Sequence, residues 1–176
     1  QFKKEESDEL HALTVEEIQK IFLVARKDKI SYYSALVSTG CRPSELLQVR
    51  MRDLDLSQIR PIIKIRANTT KTKAGRSVFL TQEATEHLKK RISGLEENDL
   101  IWGDSSYDKV FNNQQEEGRR FTFLTKRINL DMKYESTGRN QITLYSFRSF
   151  FFNCCANVHR EGYAHRMTGH GGYLPQ

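Results

Sequence analysis

In the stretch "TGCRPSELL", Gly40 closes one helix and Pro43 opens the next, so Arg42 takes the tight corner between them. A guanidinium there is a planar, permanently charged fork that matches two oxygens of a phosphate, and the adjoining helix start favours anions too. The plainer reading is a corner arginine bridged to Glu45. In "LYSFRSFF", Tyr145 and Arg148 are three apart and share a helix face. That face lies away from the apolar stripe, so Arg148 could meet a second phosphate oxygen beside a hydroxyl; alternatively Tyr145 packs and Arg148 is a surface residue. Lys71, Lys73 and Arg76 are predicted at the tip of a hairpin, where cations either approach a nucleic-acid backbone or simply meet water. His159, His165 and His170 with Cys154 do not stack on one helical face and contain no paired ligand motif, so no metal is expected. His170, just past Gly169 in "MTGHGGYLPQ", reads as a hydrogen-bond donor, with Tyr173 close behind it.

These residues need a scaffold, and most of it is helical. "LTVEEIQKIFLVAR" has Thr14 and Glu17 at capping-box spacing and Ile18, Phe22 and Leu23 at helical intervals, which predicts a helix over about 14–26. "ISYYSALVSTG" is a second helix ending at Gly40, and "PSELLQVR" a third opening at Pro43. In "PIIKIRANTTKTKAGRSVFL", Ile63, Ile65 and Ala67 alternate with Lys64 and Arg66, giving two strands and a polar loop. Thr81 caps a helix to about Ser93, and helices follow over about 105–113 and 117–130. Leu144, Phe147, Phe151, Cys154 and Val158 form one stripe, predicting a well-buried helix, and a last short helix closes at Gly169. The fold class is mainly α with a small antiparallel sheet.

With 176 residues the chain can bury a full core, and 38% apolar against 28% charged residues fits a globular surface in water. No apolar run approaches membrane length and no secretory leader opens the chain; no membrane association is expected. Three cysteines without C-x-x-C spacing suggest reduced thiols and a cytoplasmic setting, nucleoid-associated in a prokaryote. The 28 Lys and Arg outweigh 22 Asp and Glu, a net +6 that suits a polyanionic partner.

Taken in order, "TG-x-R-x-SE-LL", "R-x-x-D-L-D", a lysine-tipped hairpin, "φ-x-x-R-x-x-φ" (φ apolar or aromatic) and "GH" resemble the tyrosine recombinases, or phage-integrase family, from about Leu13 to the C-terminus. The resemblance implies that Arg42 and Arg148 are the two site arginines, Lys71 the hairpin lysine and His170 the histidine of the "GH" pair. Tyr145 stands where the family usually has a histidine, a departure: phenols, with pKa ordinarily near 10, are poor proton shuttles at neutral pH. The implied activity is DNA strand cleavage and rejoining through a 3′-phosphotyrosyl link, without metal, ATP or other cofactor. The implied partner is double-stranded DNA, with Arg50, Arg52, Lys73, Arg76, Arg119, Arg120, Lys126 and Arg127 as its contacts, and a tetramer on DNA at full length. The family's nucleophile follows "GH" by roughly seven to nine residues. Tyr173 is three residues past His170, so the attacking tyrosine is expected just beyond Gln176. Residues 1–9 read as a linker or tail and 10–176 as a C-terminally incomplete catalytic domain whose N-terminal DNA-binding domain is not in this chain. Alternatives are a catalytically lapsed DNA-binding module of the same fold or a type IB topoisomerase-like enzyme.

Overall fold

The computed structural model describes residues 11–106, 109–158 and 161–169. Helix α1 (Val15–Val24) starts where the sequence predicts: the Thr14 hydroxyl accepts from the Glu17 amide at 3.2 Å, and the Glu17 carboxylate accepts from the Thr14 amide at 2.8 Å. These reciprocal bonds satisfy two amides that a helix start otherwise leaves unpaired. Helix α2 (Lys27–Thr39) is buried almost all round and ends on Gly40, whose φ of 60° is left-handed. Helix α3 (Pro43–Leu46) begins at Pro43 and is a single turn.

A short sheet follows, in the order β1 (Leu54–Asp55), β2 (Ile62–Ile65), β3 (Arg76–Phe79), all antiparallel. The register pairs Ile63 with Val78 and Ile65 with Arg76. Ile63 and Ile65 face the core, while Ala67, the third position of the predicted alternation, is exposed in a 3-10 turn. Helix α4 (Gln82–Ile92) is capped by Thr81, then come α5 (Val110–Arg127), α6 (Ser146–Val158) and α7 (Glu161–Thr168), the last closed by Gly169 with φ 71°. Mainly helical with one three-stranded sheet, the chain has the fold class its sequence predicts.

Besides the shortened α3 and the turn at Ala67, two larger expectations fail. The two helices predicted over 105–113 and 117–130 are one helix, α5, running through Gly118. Its buried side is Asn113, Glu117, Phe121 and Thr125, evenly spaced four apart but mostly polar, so apolar periodicity misses it. The stripe on α6 is buried only at its start: Leu144 and Phe147 are in the core, Phe151 is half-buried, and Cys154 and Val158 are exposed. After its first turns α6 runs off the core.

What holds α6 in place is aromatic. Tyr33 of α2 stacks on Phe147 of α6 at 5.6 Å between ring centres, and Phe121 of α5 packs 5.5 Å from both. Edge and offset contacts of this kind add to the burial of the rings themselves. Tyr32 donates to the Pro43 carbonyl at 3.1 Å, fixing α3 on α2, and Trp102 donates to the Ser31 hydroxyl at 3.0 Å. Arg148, next in sequence to Phe147, is therefore aimed by a rigid three-helix junction. Among the described residues no helix is long and apolar enough to cross a membrane.

Candidate active site

Arg42 sits in the corner between α2 and α3, as its neighbours dictate. Its guanidinium donates to Glu45 Oε1 at 2.9 Å and its amide to Glu45 Oε2 at 2.9 Å. The plainer reading of the sequence, a bridge to Glu45, is thus present, and it aims the arginine rather than removing it. Glu45 is 1% exposed and also takes Arg76 Nη2 at 2.6 Å and Nη1 at 3.2 Å.

Arg148 is not at the surface, contrary to the plainer reading of its face: it is 7% exposed. Its Nη1 donates to the Gly40 carbonyl at 2.7 Å and its Nη2 to the Thr168 carbonyl at 2.6 Å. Two helix ends, of α2 and α7, thus converge on one guanidinium. Gly40 has no alternative residue here, since a Cβ would lie 2.2 Å from the Phe151 ring and its φ is left-handed. Burial, then the positive charge of Arg42, pushes Arg148 down to about 10, with Glu45 opposing. It remains a cation at neutral pH. Two guanidiniums that repel each other in a partly dry corner, with one carboxylate between Arg42 and Arg76, leave an excess of positive charge there.

The other predicted residues are placed as follows. Lys71 and Lys73 are exposed in the β2–β3 loop. The Thr70 hydroxyl, in a buried residue, lies 3.0 and 3.1 Å from the carbonyls of Ala67 and Ala74, so the loop is pinned one residue before Lys71. Arg76 is not at the tip: it opens β3 with its guanidinium turned inward onto Glu45. Tyr145 is 37% exposed, and its hydroxyl accepts from Gln114 Nε2 at 3.4 Å. Beside it runs an open groove of about 600 Å³ between α5 and the α3–α6 corner, bordered by Pro43, Gln114, Arg119, Thr122, Lys126 and Tyr145. Arg50 donates to the Asn98 carbonyl and Arg52 to Asn98 Oδ1, so both tie the 94–100 turn down. Arg119 and Arg120 pair with Glu116, Arg120 also with Glu117, and Lys126 and Arg127 are exposed in the last turn of α5. His170, Tyr173 and His159 lie outside the described residues. Arg42, Arg148 and Glu45 are therefore brought together, with Arg76 joining them unforeseen. Thr70, which pins the Lys71 loop, and Thr168, whose backbone carbonyl holds Arg148, are not singled out by the sequence.

Glu45 gives a first prediction. Burial raises its carboxyl, but the hydrogen bonds and charge of Arg76, with those of Arg42, outweigh that and hold it below the usual range. A lowered folded-state value contributes stability that is complete above the unfolded value of about 4.3 and disappears as pH falls through the folded value. Glu45→Gln is expected to lose about 3–5 kcal/mol at neutral pH, since it strands buried cations, with the gap to wild type narrowing in acid below about pH 4 as the wild-type carboxylate protonates. Urea unfolding across that pH range measures it; a gap independent of pH would refute the ionic role.

The sequence model of the Phage integrase family matches residues 11–170. The tyrosine recombinase XerA of Saccharolobus solfataricus is 32% identical over 127 residues, 71% of this chain and 39% of its own. The Tn1549 transposon integrase in complex with transposon right-end DNA superposes with a TM-score of 0.74 at 17% identity, covering 99% of this chain and 64% of that one. A lambda integrase dimer bound to a core site gives 0.68 at 18% identity, covering 97% and 62%. At these identities the solved structures show a shared fold, and the chain spans 39% to 64% of these relatives' lengths.

Proposed function

The chain belongs to the phage integrase family, and from that premise we propose that it is the catalytic domain of a site-specific DNA recombinase. The observation that carries the reading is the pair Arg42 and Arg148, the first held on Glu45 and the second on the carbonyl of Gly40, two residues before Arg42, each fixed by partners that leave donors free. Such a pair suits the two non-bridging oxygens of a phosphodiester, whose charge grows as a fifth oxygen approaches phosphorus.

In the proposed reaction a tyrosine oxygen attacks phosphorus and the 5′ oxygen leaves. The products are a 3′-phosphotyrosyl link and a free 5′-hydroxyl. Attack by a hydroxyl of another strand reverses the step, so no external energy is consumed. Lys71 protonates the departing oxygen, and His170 hydrogen-bonds the phosphate or assists the nucleophile. Tyr145, exposed and hydrogen-bonded to Gln114, borders the groove as a hydrogen-bonding group rather than a proton shuttle. Lys73, Arg119, Arg120, Lys126 and Arg127 neutralise flanking phosphates, while Arg50 and Arg52 reach DNA only if they keep or exchange their bonds to Asn98. Assembly as a tetramer on DNA belongs to the same proposal, as does a nucleophile beyond Gln176.

A nicked suicide substrate tests the reading. The 176-residue chain should form no denaturant-resistant DNA adduct, and the chain extended past Gln176 by its natural sequence should form one in EDTA, also as Tyr173→Phe. A band from the short chain that Tyr173→Phe abolishes would move the nucleophile to Tyr173. Activity lost in EDTA and restored by a divalent ion would overturn the metal-free chemistry. No band from either chain leaves a DNA-binding module and ends the catalytic reading.

A further inference from the structure

Arg76 is a cation in a basic hairpin, yet it behaves unlike its neighbours. Lys71 and Lys73 are exposed, whereas the Arg76 side chain is 13% exposed. Strand β3 places it opposite Ile65, a core-facing position, so its aliphatic stem follows the core and its head emerges on the inner side of the arginine corner. Both Nη atoms are on Glu45, and Nη2 lies 3.4 Å from Cys41 Sγ. Its Nε is buried and makes no hydrogen bond. A strand slip of one residue would turn the whole side chain to the other face, so the register of the hairpin and the placement of this guanidinium are one fact.

The guanidinium also has a third neighbour. Gly169 packs on it with φ 71°, and a Cβ at Gly169 would lie 3.2 Å from Nη1. Arg76 is therefore gripped between three separate pieces of chain: the strand that follows the Lys71 loop, the corner that holds Arg42, and the end of α7 that leads into His170. Each of those pieces carries one residue of the proposed site. Glu45, shared between Arg42 and Arg76, is the joint. A carboxylate held by Arg42 alone could rotate with it; gripped from the far side by a second fork, it becomes a fixed post.

We propose that Arg76 is a positioning residue that docks the lysine hairpin and the end of α7 onto the Arg42–Glu45 pair, and not a contact to DNA. The inference rests on the catalytic reading above, because positioning has meaning only where Arg42, Lys71 and His170 act on one phosphate. It assigns a separate duty to one member of a basic cluster: Lys71 acts, Lys73 binds, Arg76 aligns.

Cleavage by the extended chain under single turnover, at saturating suicide DNA, tests this together with the salt dependence of DNA binding. Arg76→Ala is expected to cleave about 100-fold more slowly than wild type, the scale of a small misplacement of reacting groups. Its slope of log affinity against log salt should be unchanged, whereas Lys73→Ala should flatten it by about 0.9, the loss of one phosphate contact. Arg76→Lys, which keeps a cation for Glu45 but not the fork, should recover part of the rate, and serves if the alanine variant does not fold. If Arg76 works through Glu45, the double variant Glu45→Gln/Arg76→Lys should be no slower than Glu45→Gln alone. A wild-type rate in Arg76→Ala or Arg76→Lys, a flattened salt slope, or fully additive losses would overturn the inference while leaving the catalytic reading intact. A wild-type extended chain that never cleaves would bring down both.

Discussion

Arg148→Lys in the chain extended past Gln176 is expected to form its covalent DNA complex about a thousandfold more slowly than wild type at saturating DNA, the upper range for losing one donor to a developing oxyanion. The reason lies in what the guanidinium does besides carry charge. It bridges the Gly40 and Thr168 carbonyls, 2.7 and 2.6 Å from separate nitrogens, and still has hydrogens to offer a phosphate. An ammonium is a point charge on a flexible stem and cannot hold two divergent carbonyls and an oxyanion in one plane. Lysine would also be placed in a buried position beside Arg42, where desolvation and like charge both favour its neutral form. Single-turnover kinetics with a suicide substrate measure the effect, with thermal melting as the check on folding. A rate within tenfold of wild type would remove Arg148 from the site.

Lys71→Ala should cost the same reaction about 100- to 10,000-fold, the range of a lost general acid, and should be rescued by a 5′-bridging phosphorothiolate. A thiolate leaves without needing a proton, so the substrate supplies what the side chain no longer does. The structure makes the two hairpin lysines unequal. Lys71 follows directly on Thr70, whose hydroxyl pins the loop to Ala67 and Ala74. Lys73 lies further along the turn in the left-handed region, φ 55°. A lysine leaving from an anchored residue reaches a defined place, as a proton donor must. Lys73→Ala is expected to weaken binding and leave the sulfur-to-oxygen rate ratio unchanged. Rescue of Lys73→Ala but not of Lys71→Ala would exchange their roles.

What the sequence made legible is local. Thr14 with Glu17, Gly40 with Pro43, Thr81, and Gly169 each mark a chain direction through their own backbone bonds, and each lies where it was expected. The Arg42–Glu45 bridge, three residues long, was legible for the same reason. What escaped depends on partners far along the chain. Arg76 meets Glu45 across 31 positions, and Arg148 meets Gly40 across 108, so no spacing rule could turn either guanidinium inward. Gly118 sits inside α5, where glycine weakens a helix by about 1 kcal/mol. The buried line of Asn113, Glu117, Phe121 and Thr125 outweighs it, with Glu117 paired to Lys29 at 2.5 Å. On α6 the apolar stripe is real in sequence, but the core ends before the stripe does.

Trp102 is the single tryptophan of the chain, and it is almost wholly enclosed, its indole N–H on Ser31 and its ring 6.4 Å from Tyr32. It is thus a built-in optical probe of the α2 core. Its emission in the folded chain should be blue-shifted and fed by energy transfer from Tyr32, and both properties should vanish together when α2 comes apart. Because its own contacts are to Ser31 and Tyr32 of α2 and not to a residue proposed to act on phosphate, that signal reports whether a variant is folded independently of whether it cleaves. Each loss of rate described above can therefore be separated, in the same cuvette and without a label, from a loss of the protein itself.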